Sequence, residues 1–128
     1  YPLERQSNIA ITSNNIASNL NNQGKHEEAQ FYLESAIQLQ RLVQIGDSMD
    51  LAVMLYNLAH TYRFQYKQSE SQKLFVEAHD MFIRVLGPNH PTVGIAKQGV
   101  AINFREQGRI QDAIAMNRQV QKIYEEHH

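Results

Sequence analysis

The chain contains no cysteine. Disulfides, thiolate zinc sites and thiol nucleophiles are excluded together, and the composition suits a reducing compartment. Charge of one sign is also lacking: a formal net charge of -1 supplies no whole-molecule field to attract nucleic acid. Long hydrophobic runs are missing too. The stretch around Leu42–Gly46 is far too short and polar to span a bilayer. Tyr1–Asn8 is polar and has no apolar stretch of the kind a signal peptide needs. The terminal His127–His128 pair reads as the remnant of a purification tag and is given no function. No window alternates apolar and polar residues convincingly and no Asn-Gly hairpin turn occurs, so strands are not expected. What is present is 128 residues, 42% hydrophobic and 20% charged, enough for one domain that buries a core without metals or cross-links. The expectation is a soluble, cytoplasmic protein.

The strongest positive signal is an internal repeat. A shift of 42 residues carries Asn15-Ile16-Ala17 onto Asn57-Leu58-Ala59 and then onto Gly99-Val100-Ala101. It also carries Leu20 to Tyr62 and Phe104, Gly24 to Tyr66 and Gly108, and Ala29 to Ser71 and Ala113. Leu33 falls on Phe75, and Ala36 on Ala78 and Val120. The domain, residues 1–128, therefore divides at about 9–50, 51–92 and 93–128, with the last repeat shortened. Such a chain is open to being part of a longer protein.

Within each repeat the apolar period is helical. Ala29, Leu33, Ala36 and Ile37 recur at i, i+4, i+7 and i+8, one stripe of a helix. Gly24 and Gly108 stand where a first helix must stop. Gly46-Asp47-Ser48 and Gly87-Pro88-Asn89-His90-Pro91 supply breakers and N-caps between repeats. The spacing predicts helices at about 9–23, 26–44, 49–65, 68–86, 92–107 and 110–126. Small residues at Ala17, Ala59, Ala101, Ala29, Ala36, Ala78 and Ala113 would let paired helices approach, with Leu20, Tyr62, Phe104 and Phe75 filling the space between.

Asn57-Leu58-Ala59-x-x-Tyr62 and Gly24-Lys25-His26-Glu27-Glu28-Ala29 resemble the tetratricopeptide consensus. The 42-residue period, with Leu86-Gly87-Pro88-Asn89-His90-Pro91-Thr92-Val93, is similar to the kinesin-light-chain subtype of that family. The resemblance spans about residues 9–126 and implies an all-α, right-handed superhelical solenoid of three helix-turn-helix repeats. Departures are Tyr66 for the turn glycine, Ser71 for a packing alanine, and His79 at a usually apolar position. Asn117 and Gln121 also replace apolar residues, which points to a last helix packing through Met116, Val120 and Ile123.

The resemblance further implies a concave groove, lined by the first helix of each pair, that holds extended or helical segments of partner proteins. Its consensus positions fall on Asn14, Ser18 and Asn21, on Tyr56, His60 and Arg63, and on Gln98, Ile102 and Arg105. Asn15 and Asn57 lie at the edge of the same face. Asparagine both donates to and accepts from a peptide backbone. Arg63 and Arg105, one repeat apart, favour an acidic or carboxylate-bearing ligand, and Tyr56 offers an aromatic anchor. Each has a plainer reading: solvated arginines, Asn57 bonding between scaffold helices, His60 as a half-exposed residue, Tyr56 packing between repeats. A chaperone-tail clamp would need basic residues and asparagines at Asn14, Ser18, Asn57, Ile95 and Gly99; only Asn57 fits.

Catalysis has no candidate constellation. His26-Glu27-Glu28-Ala29-Gln30 departs from the zincin motif because no histidine follows at i+4. His60, His79 and His90 lack metal-ligand spacing, and Gly94-x-x-x-x-Gly99 lacks the Lys-Ser/Thr pair of a phosphate loop. The expectation is a non-catalytic, cofactor-free scaffold that binds a protein or peptide partner, without nucleic acid or membrane as a ligand. The alternative is a structural module that self-associates through exposed solenoid ends.

Overall fold

The computed structural model describes residues 2–127; Tyr1 and His128, the outer members of the polar N-terminal stretch and of the terminal His pair, lie outside them. Among the described residues there are six α-helices and no strand: α1 (Leu3–Asn22), α2 (His26–Val43), α3 (Met49–Phe64), α4 (Gln68–Leu86), α5 (Pro91–Glu106) and α6 (Ile110–Glu126). Five of these lie within about two residues of the ranges predicted from spacing. The exception is α1, which begins six residues before the expected Ile9. Apolar periodicity starts only at Ile9, but Leu3, Glu4, Arg5 and Gln6 are all good helix formers. Glu4 also lies in the first turn, where the helix dipole favours an acid.

Each pair turns in the same way. Gly24, Tyr66 and Gly108 occupy one register and all have positive φ, at 79°, 62° and 79°. The residue after each donates its backbone N–H five positions back: Lys25 to Leu20 (2.8 Å), Lys67 to Tyr62 (2.9 Å) and Arg109 to Phe104 (2.7 Å). This closure satisfies carbonyls orphaned at the helix end. Glycine adopts that conformation freely, whereas Tyr66 carries a Cβ into it at some cost. The linkers between pairs restart the chain with side-chain caps. Ser48 Oγ accepts from Leu51 N–H at 3.1 Å, and His90 Nδ1 accepts from Thr92 N–H at 3.1 Å, with Pro91 in the first turn.

Packing is mainly consecutive: α1 on α2, α2 on α3, and so on to α6. The backbones of α1 and α3 also approach one another, as do those of α3 and α5, whereas those of α2, α4 and α6 do not. α2 and α4 meet through the long side chains of Arg41 and Glu77, 3.3 Å apart. Closer spacing among first helices than among second helices curves the stack, with α1, α3 and α5 on its inner side. The result is a solenoid.

The core is threaded through the stack rather than gathered at one centre. Ala17, Ala29, Ala36, Ala59 and Ala78 are all buried, and Leu33 and Phe75 fill the spaces that these small residues leave. Phe75 reaches from α4 onto α5 at Gly99, where an added Cβ would lie 2.6 Å from the ring. Complete burial of a side chain this size contributes about 2–3 kcal/mol. In α6, Val120 and Ile123 are buried, Met116 is half-buried, and Asn117 and Gln121 face out.

Two stability changes follow from these positions. Gly99→Ala drives a methyl group into the Phe75 ring and should lower unfolding free energy by about 1–3 kcal/mol, despite alanine's higher helix propensity. Tyr66→Gly relieves the left-handed backbone and should raise it by up to about 1 kcal/mol, after the unfolded chain's added freedom is subtracted. Urea titrations of both variants read these shifts as opposite displacements of the midpoint.

Candidate functional site

The inner face is built from side chains projecting one or two turns apart on α1, α3 and α5. All eleven residues expected there remain at least partly accessible. They do not stand equally free, because the scaffold already uses several.

On α1, the Asn14 Oδ1 accepts a hydrogen bond of 3.0 Å from Asn57 Nδ2 on α3. Ser18 Oγ donates to the Asn14 carbonyl at 3.3 Å. Asn21 Nδ2 donates to Thr61 Oγ1 at 2.8 Å, and Thr61 Oγ1 in turn donates to the Asn57 carbonyl at 2.9 Å. Asn21 Oδ1 also pairs with His26 Nδ1 at 2.9 Å. These amides lock α1 against α3, the structural use of Asn57 that its position allowed. Asn15 is exposed.

On α3, an aromatic ladder runs at i, i+4 and i+8 through Tyr56, His60 and Phe64. Tyr56 and His60 meet edge to face at 4.6 Å, and both contact the buried Phe75 ring, at 5.6 and 4.8 Å. Phe64 stacks on His26 from α2 at 4.8 Å. Phe64, exposed on this face, lies outside the eleven expected positions, although its aromatic spacing is visible in the sequence.

Arg63 is held by this chain through both terminal nitrogens, while its Nε is buried without a hydrogen-bond partner. Its Nη1 lies 3.3 Å from Glu106 Oε1, its Nη2 donates to His60 Nδ1 at 3.4 Å, and its guanidinium sits 4.8 Å over the Phe64 ring. Because a guanidinium only donates, His60 Nδ1 must accept, which places the imidazole proton on Nε2. Burial, followed by the Arg63 charge, pushes the His60 pKa down to about 4. His60 is therefore neutral at physiological pH. Burial likewise pushes the Tyr56 hydroxyl up.

On α5, Gln98, Ile102 and Arg105 come together with Ala101, and with Ala113 and Asn117 of α6, around a cleft of about 280 Å³. Gln98 and Arg105 are exposed, and Ile102 is half-buried. Arg105 has no ion-pair partner among the described residues. The two arginines thus differ: Arg63 holds a carboxylate of this chain, while Arg105 is open. Among the described residues no group of three or more His, Asp or Glu side chains could hold a metal, and no helix is long and apolar enough to cross a membrane.

The depressed His60 pKa has a definite sign. The unfolded imidazole titrates near 6.5 and the folded one near 4, so in this interval the unfolded state binds more protons. Stability is complete above pH 6.5 and falls as pH drops towards 4, by about 2–3 kcal/mol for this group. Urea unfolding at several pH values should show the decline, and His60→Gln should flatten most of it; an unchanged slope in the variant contradicts the assignment.

The tetratricopeptide repeat family model matches residues 8–75 and 67–126. A search of curated protein sequences found no match. Among solved structures, the chain is similar to one described as nearly identical TPR-like repeats of a Podosopora anserina kinesin light chain, with a TM-score of 0.81 and 19% identity. The match covers 92% of this chain and 56% of that one. A single-residue variant of the same repeats gives 0.80 and 19%, over 92% and 55%. This chain therefore spans little more than half of the repeats it matches. At such identity the likeness concerns the fold. With the matched regions running almost from end to end, the chain belongs to the tetratricopeptide repeat family.

Proposed function

We propose that the inner face binds an extended or helical segment of a partner protein and that the chain acts as a non-catalytic scaffold. Tetratricopeptide repeats are generally protein-interaction modules, and repeats of this fold are typically scaffolds rather than enzymes. The observation that carries the reading is the division of labour on the inner face. Asn14, Asn21, Asn57 and Arg63 hold the helices in register through bonds within the chain, while Asn15, Gln98 and Arg105 remain exposed. Donors of that kind suit a peptide backbone, and the half-buried Tyr56 and Ile102 add apolar contact.

A preference for acidic segments then rests on Arg105 rather than on a pair of arginines. Arg63 faces Glu106, which would repel an incoming carboxylate, whereas Arg105 stands beside a cleft and can form charge-assisted bonds. Mixed or neutral segments with one acidic side chain near α5 fit this arrangement better than uniformly acidic ones.

Peptides selected from a display library against the immobilised chain provide the test. They should carry Asp or Glu, and Arg105→Glu should weaken them by about tenfold or more. Tyr56→Ala should weaken them as well, with helicity by circular dichroism unchanged in the arginine variant. Selected peptides that bind Arg105→Glu and Tyr56→Ala as tightly as the parent chain would reject the inner face as the site.

A further inference from the structure

The outer side of the stack carries two successive grooves that a shift of 42 residues superposes in sequence. The first lies between α2 and α4, on α3. Two ion pairs close it: Arg41 reaches Glu77 at 3.3 Å, and Arg84 holds both carboxylate oxygens of Asp47. Its floor is apolar, with Ile37 and Leu55 buried. The second, between α4 and α6 on α5, fills the same places differently. Ile83 and Glu126 replace Arg41 and Arg84, while Asn89 and Gln119 replace Asp47 and Glu77. Neither ion pair can form there. The N-caps Ser48 and His90 occupy equivalent places, so the register holds through the linker.

Charge in the second groove is reversed as well as unpaired. Lys122 stands where the first groove has Asp80, and Lys97 where it has the buried Leu55. A recess of about 380 Å³ opens here, with Asn89, Lys97, Gln119, Lys122 and Glu126 in its lining. Lys97 is half-buried, and its Nζ donates to Gln119 Oε1, a neutral acceptor, at 3.0 Å. Asp80 accepts instead from His79 Nδ1 at 3.0 Å. Among the described residues neither lysine has a carboxylate within ion-pair distance. Burial pushes the Lys97 ammonium down, and the charge of Asp80 opposes this only in part. A half-buried ammonium bonded to a neutral amide is incompletely compensated, and an anion entering the recess completes it.

We propose that this recess binds a phosphate monoester carried on a protein segment, the side chain of a phosphoserine or phosphothreonine. The donors come from three directions: Asn89 from the linker, Lys97 from α5, and the Gln119 amide with Lys122 from α6. A tetrahedral phosphoryl group offers three terminal oxygens to such a set, whereas a planar carboxylate offers two. The groove beside the recess favours a segment over free phosphate. Val76 and Ile83 stand where the first groove has Glu34 and Arg41, and Val76 is 41% exposed. Residues flanking the phosphate can lie on this apolar rim. Glu126, exposed near the end of α6, can turn toward solvent when the anion enters. The recess shares no residue with the cleft beside Arg105, so the inference stands independently of the inner face.

The test titrates the full chain, labelled with nitrogen-15, with a short and otherwise uncharged peptide carrying one phosphoserine flanked by valine. The same peptide without phosphate is the control. Saturating amide shifts around Asn89, Lys97 and Gln119 are expected with the phosphorylated peptide alone. Lys97→Leu restores the residue type of the first groove, so the variant should melt no lower than the parent while binding weakens by about tenfold or more. Lys122→Asp, at an exposed position that leaves folding intact, should weaken binding to a similar degree. Absence of shifts at these positions, or unchanged affinity in both lysine variants, would overturn the proposal. So would inorganic phosphate matching the phosphorylated peptide at equal concentration, which would leave the protein segment without a role.

Discussion

The contact on which this architecture depends is a large second-helix side chain entering the hollow of the next first helix. Phe75 is the clearest instance, wedged against Gly99 with Tyr56 and His60 closing around it. A helix pair alone leaves such a side chain in water. Stacking removes it, and the stabilisation of each pair then belongs largely to its neighbours. This explains why the core is linear, why α1 approaches α3 but not α5, and why the small residues recur. It also fixes where the inner face lies, because the same stacking sets α1, α3 and α5 side by side.

The inner face is a compromise between holding that register and leaving something to bind with. Buried polar bonds are costly when incomplete. The bridges from Asn14 to Asn57, from Asn21 to Thr61 and from Arg63 to Glu106 complete many of them, and in doing so withdraw those groups from a ligand. His60 is drawn in the same direction. Surrounded by aromatic rings and facing a guanidinium, it is held neutral and serves packing more than charge recognition. The face consequently grows more open toward α5, where Gln98 and Arg105 lie exposed.

The helices and their turns were legible because each carries a local signal that recurs in register. Gly24 and Gly108 mark turns by their freedom at positive φ, and the repeat places Tyr66 at the same point despite its side chain. The start of α1 was not legible, since helix propensity without apolar periodicity leaves no face to detect. Residues of the inner face could be placed by register, but their states could not. Nothing in the sequence pairs Arg63 with Glu106, because the two are brought together by the stacking of α3 beside α5. Thr61 was missed for the same reason: its role depends on a partner across the helix interface.

The stacking itself is most directly tested by a carbon-edited nuclear Overhauser spectrum of the isolated chain. The account predicts strong cross-peaks from the Phe75 ring to the Gly99 α-protons and to the rings of Tyr56 and His60. A chain with full helical content but no cross-peak between Phe75 and Gly99 would contradict it.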